Sequence, residues 1–262
     1  MKDISNILNS SKSQKKHYES IHDDYGKHYY DQSSMAYRDQ FVYKVIFVGL
    51  DLNGKDVADI AAGSGNNSTA LKRRYPCVRL TGFDISSKAV KQYREVVGAS
   101  AFEQDLTKPM KQEFEFDVVM VFGGLHHCAN DLRRVFENIS GLLKPEGMLL
   151  MWEPNRECFL EWLRQIWYRK SRFFQEDTEK ALVHDDLINM ASSFFEVKDL
   201  KYMGGPAHFL ILNSLILGIP LSVKRIISHP LFALEWFYNL LPGKIFYPCF
   251  IARWKRKEID IT

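Results

Sequence analysis

Val57-Ala58-Asp59-Ile60-Ala61-Ala62-Gly63-Ser64-Gly65-Asn66-Asn67-Ser68 runs from an apolar stretch, through an acidic residue and two glycines, into a polar segment. Val57 to Ala62 is nearly continuously apolar, as a strand covered on both faces must be. The pattern predicts a strand over Asp56–Ala61 and a helix over Ser68–Arg74. Gly63 and Gly65 let backbone approach a ligand closely, and the helix start behind them offers free N–H groups to a carboxylate or phosphate. A G-x-G alone is a weak sign. It gains weight from the next apolar run, Val78–Asp84, which closes in Gly82-Phe83-Asp84-Ile85-Ser86. In doubly wound folds an acid at that strand end accepts hydrogen bonds from ribose hydroxyls, so the two features together describe a nucleoside site.

Outward from this pair, short apolar runs alternate with helical stretches, the pattern of a parallel sheet flanked by helices. Further strands are predicted over Ala101–Asp105, Phe116–Phe122 and Met148–Glu153, with helices over Ser86–Val97 and Asp131–Leu143. Phe195–Tyr202 and Phe246–Trp254 read as two more strands, with a helix over Asp185–Ser193 before the first. The stretch between those two strands far exceeds the about 4–6 residues of an ordinary loop, so something other than sheet is inserted there. The expected fold class is α/β, a doubly wound, seven-stranded, mostly parallel sheet. Residues 1–48, rich in aromatics at helical spacing, form a helical cap; residues 49–262 form the main domain, with helical insertions near 156–180 and 204–245.

Here the chain resembles the class I S-adenosylmethionine-dependent methyltransferases, in the small-molecule branch related to the ubiquinone and menaquinone biosynthesis enzymes. The resemblance spans Tyr18 to Asn155. Asp59-x-Ala61-x-Gly63-x-Gly65 is similar to that family's D-x-G-x-G-x-G loop, with Ala61 in place of the first glycine. It implies S-adenosyl-L-methionine as cofactor, with S-adenosyl-L-homocysteine as product. Asp59, Ala61, Gly63 and Gly65 would surround the methionine part, Asp84 would hold the ribose, and Ile85 would pack on the adenine. Gln104-Asp105-Leu106 is similar to the segment that meets the adenine amino group, although Asp105 would equally serve as a solvated acid capping a loop. Phe122 joins the set from the end of the fourth strand, Tyr25 from the aromatic entry segment that begins at His17, and Arg38 as a planar fork for the cofactor carboxylate. For Arg38 an exposed surface position is the competing expectation; for Tyr25 it is core packing. Leu142-Leu143-Lys144-Pro145-Glu146-Gly147 resembles the family's L-K-P-G-G turn, in which Pro145 stops a helix and Gly147 permits the turn.

The acceptor side is read from Phe122-Gly123-Gly124-Leu125-His126-His127-Cys128, at the strand edge where such folds place ligands. An acceptor hydroxyl must lose a proton, and histidine suits that role near neutral pH; His126 is the first candidate base and His127 the second. Against this stands ordinary packing of one ring and carbonyl capping by the other. Glu153-Pro154-Asn155 either touches the acceptor or simply ends its strand.

Bulk properties narrow the classes. A net charge of +3 does not argue for nucleic acid, and no dominant basic run occurs. Cys77, Cys128, Cys158 and Cys249 form no C-x-x-C pair, so no metal site and no disulfide framework is expected. With a polar start lacking a secretory apolar core, this leads to a cytoplasmic expectation, peripheral at the inner membrane face if the insertion meets lipid. The apolar runs at Phe209–Leu221 and Pro230–Tyr238, flanked by basic residues, suit a lid, a dimer interface or a membrane contact alike, but they are too short and interrupted to span a bilayer. The expected partner is a small-molecule or lipid-linked acceptor, methylated in line on O, N or C. The alternatives are a macromolecular (RNA or protein) methyltransferase and a catalytically silent cofactor-binding scaffold. A nicotinamide dehydrogenase is disfavoured because Ser68 breaks G-x-G-x-x-G/A.

Overall fold

The computed structural model describes residues 26, 28–110, 114–170, 180–215 and 217–258, with the side chains of 167–170 excepted. Its strands are β1 (Asp56–Ile60), β2 (Arg79–Asp84), β3 (Ser100–Glu103), β4 (Phe116–Phe122), β5 (Leu143–Pro154), β6 (Phe195–Met203) and β7 (Cys249–Arg256). They form one seven-stranded sheet in the order β3-β2-β1-β4-β5-β7-β6. Every pairing is parallel except the two made by β7. β7 enters three residues later than the apolar run at Phe246 predicts. The chain leaves β1 in one direction through β2 and β3, then returns to pair β4 on the other side of β1. This reversal opens a crevice at the carboxyl ends of β1 and β4, where open α/β sheets bind ligands.

Side chains alternate along the strands, so the two faces of the sheet bury different sets. Val57, Met120, Leu150 and Trp152 belong to one core; Ala58, Ile60, Val121 and Met151 belong to the other. Onto the second face pack α4 (Leu132–Leu142) and α6 (His184–Ala191), through Phe136, Ile139 and Leu187. The first face carries α2 (Asn66–Arg74) and α3 (Ser87–Val97) together with an amino-terminal helix, α1 (Gln32–Tyr37), which continues through a π-helical stretch (Arg38–Tyr43) into a last turn, Lys44–Ile46. α1 is capped by Asp31, whose Oδ1 accepts the Ser33 N–H at 2.9 Å. α3 is capped by Ser86 and ends on Gly98 in the left-handed region, at φ 66°.

Between β5 and β6 lies α5 (Glu161–Lys170); between β6 and β7 lie a π-helical turn (His208–Leu212) and α7 (Leu221–Tyr238). α7 rests on α1. Tyr37 Oη donates to Glu235 Oε1 at 2.6 Å, and Lys224 Nζ reaches His28 O, Ser34 Oγ and Asp31 Oδ2. Tyr29 Oη meets Asn213 Oδ1 at 3.1 Å. Segments from opposite ends of the sequence thus make one roof over the crevice.

The turn into β5 differs from its expected form. α4 stops at Leu142, before Pro145, and the left-handed residue is Glu146, at φ 65°, not Gly147. Gly147 is needed for space instead: a Cβ there would lie 2.9 Å from Lys144 O and 3.2 Å from Asp117 O.

Candidate functional site

The crevice holds a cavity of about 290 Å³. Its floor is made by the carboxyl ends of β1, β2, β4 and β5, and its roof by Tyr29, Tyr30, His208 and Leu212. Of the residues singled out from sequence, Arg38, Ala61, Gly63, Asp84, Ile85, Asp105, Leu106, Phe122, His126 and His127 all line it. Tyr25 lies outside the described residues. Asp59 and Gly65 do not line the cavity; both are committed to packing behind it.

Asp59 is buried beneath the loop, where its Oδ2 accepts from Ser68 Oγ at 2.6 Å, and that hydroxyl lies 2.8 Å from Tyr93 Oη. Burial pushes the Asp59 carboxyl up to about 7. The carboxylate therefore ties the end of β1 to the start of α2, with α3 as backing. Gly65, at φ 83°, faces α3: a Cβ there would lie 2.3 Å from Val97 Cγ2. Gly63, at φ 54°, has no atom within 4 Å of such a Cβ and borders the cavity. Ala61 itself takes φ 53°, so it occupies the left-handed conformation that a glycine would take more cheaply.

Asp84 Oδ2 accepts the Gly63 N–H at 2.8 Å and Oδ1 accepts the Ser86 N–H at 2.9 Å, so the carboxylate is held at the cavity wall by two backbone groups. Asp105 borders the cavity and caps its loop, its Oδ1 accepting from Thr107 N at 3.0 Å and Thr107 Oγ1 at 2.7 Å, but as a largely buried acid and not a solvated one.

Arg38 corrects the expectation of an exposed surface residue. It is 5% exposed, with its guanidinium carbon 4.8 Å from the Tyr30 ring centre and 4.9 Å from that of Trp152. Stacking between two aromatic faces offsets the loss of water around a guanidinium. Nη1 is 3.4 Å from Asn67 Oδ1, while the buried Nε has no hydrogen-bond partner among the described residues. A buried donor left unmet costs about 1–3 kcal/mol. An anionic group entering the cavity beside Gly63 would meet that donor and that charge, which fits the carboxylate of an amino-acid-bearing nucleoside. Tyr30 and Trp152, which hold the guanidinium, were not singled out for this role; only the tertiary contact reveals them.

A 3-10 turn (Leu125–Cys128) follows β4, and the Gly124 before it lies against the β1 loop, where an added Cβ would come 2.7 Å from Ala61 Cβ. Glu153, fully buried at the end of β5, accepts the N–H groups of Gly124 and Leu125 at 2.8 Å each and that of His126 at 3.3 Å. His126 Nδ1 is 2.9 Å from Glu153 Oε2. Glu153 closes β5 at the cavity wall and also anchors the histidine turn. Burial pushes the Glu153 carboxyl up to about 7 against the pull of those N–H donors, and burial pushes the His126 imidazole down. Because a carboxylate only accepts, the Nδ1 proton faces it, and Nε2 keeps its lone pair on a ring that borders the cavity. The His127 ring lies 3.8 Å from that of His126, centre to centre.

A family model described as "Methyltransferase domain" matches residues 57–147. Among solved structures, the chain is similar to a SAM-dependent methyltransferase from Thermotoga maritima, described as a possible histamine N-methyltransferase, with a TM-score of 0.61 and 14% identity over 93% of this chain and 99% of that one. The fold is that of a class I methyltransferase. It is shared with the N-methyltransferase NodS of Bradyrhizobium japonicum, solved with S-adenosyl-l-homocysteine (TM-score 0.57, 12% identity, 92% and 99% coverage). In sequence, the chain is 28% identical over 103 residues to a trans-aconitate 2-methyltransferase of Escherichia coli, covering 39% of this chain and 40% of the relative. The chain thus matches about 40% of the length of the curated relatives.

Proposed function

We propose that this protein is an S-adenosylmethionine-dependent methyltransferase that acts on a small or lipid-like acceptor through a hydroxyl or amine. The observation that carries the reading is one cavity lined by Gly63, Asp84 and Arg38 and also by the hydrogen-bonded pair His126–Glu153. The cofactor, when bound, supplies an electrophilic methyl group on a sulfonium. Asp84 would accept the ribose hydroxyls, Ile85 and Leu106 would flank the adenine, and Arg38 would receive the carboxylate. Phe122 and Trp152 give the cavity apolar walls, which would withhold water from the reacting atoms. His126 Nε2 would take the acceptor's proton as the acceptor atom bonds to the methyl carbon and the carbon–sulfur bond breaks, with S-adenosylhomocysteine as the leaving group, while Glu153 would hold the ring in the required tautomer.

The likeness to trans-aconitate 2-methyltransferases, whose named substrate is a small molecule, supports a small acceptor. The four cysteines are free, in keeping with the proposed cytoplasmic setting.

Calorimetry with S-adenosylmethionine and with a nicotinamide dinucleotide is expected to show binding of the first alone. Incubating the protein with methyl-labelled donor and fractionated soluble and lipid extracts is expected to yield one labelled small product. Cofactor binding without any labelled product would leave a silent binder and reject the enzyme reading. On the acceptor so identified, His126→Ala is expected to lower kcat by about 100-fold or more with cofactor affinity unchanged. The wild-type rate should rise with pH as Glu153 loses its proton through about 7, then level off.

A further inference from the structure

Three polar groups that border the cavity take no part in the contacts assigned to the cofactor or to proton transfer: the Trp152 indole nitrogen, the His208 imidazole and the Cys249 thiol. Trp152 lies near the end of β5 and Cys249 opens β7, and because Pro154 pairs with Cys249 across these antiparallel strands, both stand at the sheet edge that also carries Gly63 and Asp84. The order β2-β1-β4-β5-β7 sets β7 four strands from β2, about 19 Å at the usual strand spacing. A nucleoside seated on Asp84 therefore leaves the β5–β7 part of the edge to the second substrate.

The polar groups there are buried and poorly met. Trp152 and His208 are each 6% exposed. Trp152 Nε1 has no hydrogen-bond partner among the described residues beyond the weak acceptor offered by the Cys249 sulfur beside it. The same sulfur lies 3.7 Å from His208 Nε2 and 3.9 Å from Nδ1. One sulfur at these near-equal distances cannot lie along the N–H of one nitrogen and the lone pair of the other, so part of the ring's bonding capacity is left over. Burial, with the charges of Arg164 and Arg38, pushes the imidazole down to about 3, and burial pushes the thiol up to about 12, so both groups are neutral. The ring is fixed in place: the His208 carbonyl accepts Asn213 N and Nδ2 at 3.0 Å each, and the Tyr37 ring meets the imidazole edge-on at 6.2 Å. Arg164 borders the cavity too, but Glu161 meets its charge at 2.7 Å and Pro248 O accepts its Nη2 at 2.9 Å, so it ties down strand ends.

We propose that Trp152 Nε1 and His208 form the recognition subsite for the methyl acceptor, donating together to a carbonyl-type oxygen, that of a ketone, amide or carboxyl group, on the molecule to be methylated. Such an oxygen has two lone pairs and no proton of its own to place, which matches two donors lying beside one sulfur, and a neutral imidazole takes the tautomer that turns its N–H toward it. The assignment to the acceptor rests on the methyl-transfer reading.

The test uses the full chain with S-adenosylhomocysteine bound and three probes that share one ring and differ in the group it carries: benzoate, acetophenone and toluene. Binding is followed by NMR at the Trp152 indole N–H, identified as the resonance missing from Trp152→Phe. Benzoate or acetophenone is expected to bind at least about fivefold more tightly than toluene and to move that resonance downfield, and the tighter of the two assigns a carboxylate or a neutral carbonyl. His208→Leu should remove most of the preference and His208→Gln, whose amide donates, should restore it; if His208→Leu does not fold, loss of the preference in Trp152→Phe, read by calorimetry, decides. No preference over toluene, or a preference untouched in the variants, would mean that the two donors recognise no such oxygen and would overturn the proposal. So would S-adenosylhomocysteine alone moving the indole resonance and shutting out the probes, which would give the donor to the cofactor, or a labelled methyl product that lacks a carbonyl-type oxygen. The preference in a protein that yields no labelled product would keep the subsite and reject only methyl transfer.

Discussion

At the scale of single residues, Asp59 shows how a motif acid can serve the fold without touching the ligand cavity. Its carboxyl rises from 3.8 to about 7 because it is buried, and Ser68 only partly offsets this. The folded protein therefore holds a proton that the unfolded chain has already released between those values, so the Asp59 contribution to stability falls as pH rises from about 4 to about 7. The full effect of such a shift is up to about 4 kcal/mol. Asp59→Asn is expected to lose this dependence: relative to wild type it should gain stability from pH 4 to pH 8 in urea titrations. A constant difference across that range would reject the buried-acid account. Arg38 makes the complementary point, since two aromatic faces, one from nearby Tyr30 and one from distant Trp152, bury it and overturn the expectation of exposure.

At the scale of elements, the loop between β1 and α2 divides its labour between its two glycines. The sequence reads both as places of close ligand approach. In the structure Gly63 borders the cavity, whereas Gly65 is given to the packing of α2 on α3. Gly65→Ala combines left-handed strain of about 1–2 kcal/mol with overpacking against Val97 and Tyr93, so a stability loss of about 2–4 kcal/mol is expected by chemical denaturation. Gly63→Ala should cost only the strain in stability, yet weaken S-adenosylmethionine binding in calorimetry. If the two variants changed stability and binding alike, the division would be wrong.

At the scale of the whole molecule, the roof is a joint construction of the two ends of the chain. Glu235 accepts from Tyr37 Oη, from Gly205 N at 2.8 Å and from Ala207 N at 2.9 Å, so one carboxylate binds α1, the turn before His208 and α7 together. Replacing it by alanine leaves three buried donors unmet, and a loss of about 3 kcal/mol or more is expected. Hydrogen exchange should then quicken together over Gln32–Tyr37 and His208–Leu212. Faster exchange in α7 alone would mean that the two ends are not coupled through this group.

The sequence by itself determined the sheet from β1 to β5 and the cavity wall at Gly63, Asp84 and Ile85. Buried parallel strands must be continuously apolar, and the residues that turn at their ends act locally, within a few positions of Gly63 and Asp84. The left-handed Glu146 was hidden because the neighbouring glycine offered the cheaper local reading. Only the tertiary structure decided the partnership of His126 with Glu153, the burial of Arg38 and the burial of Lys224 and Glu235 of α7 beside Ile227, Leu231 and Phe232. Each is set by contacts between segments far apart in the chain. A helix pattern shows that two faces differ, but which one turns inward depends on what is offered opposite, and here Asp31 and Tyr37 offered polar partners to Lys224 and Glu235.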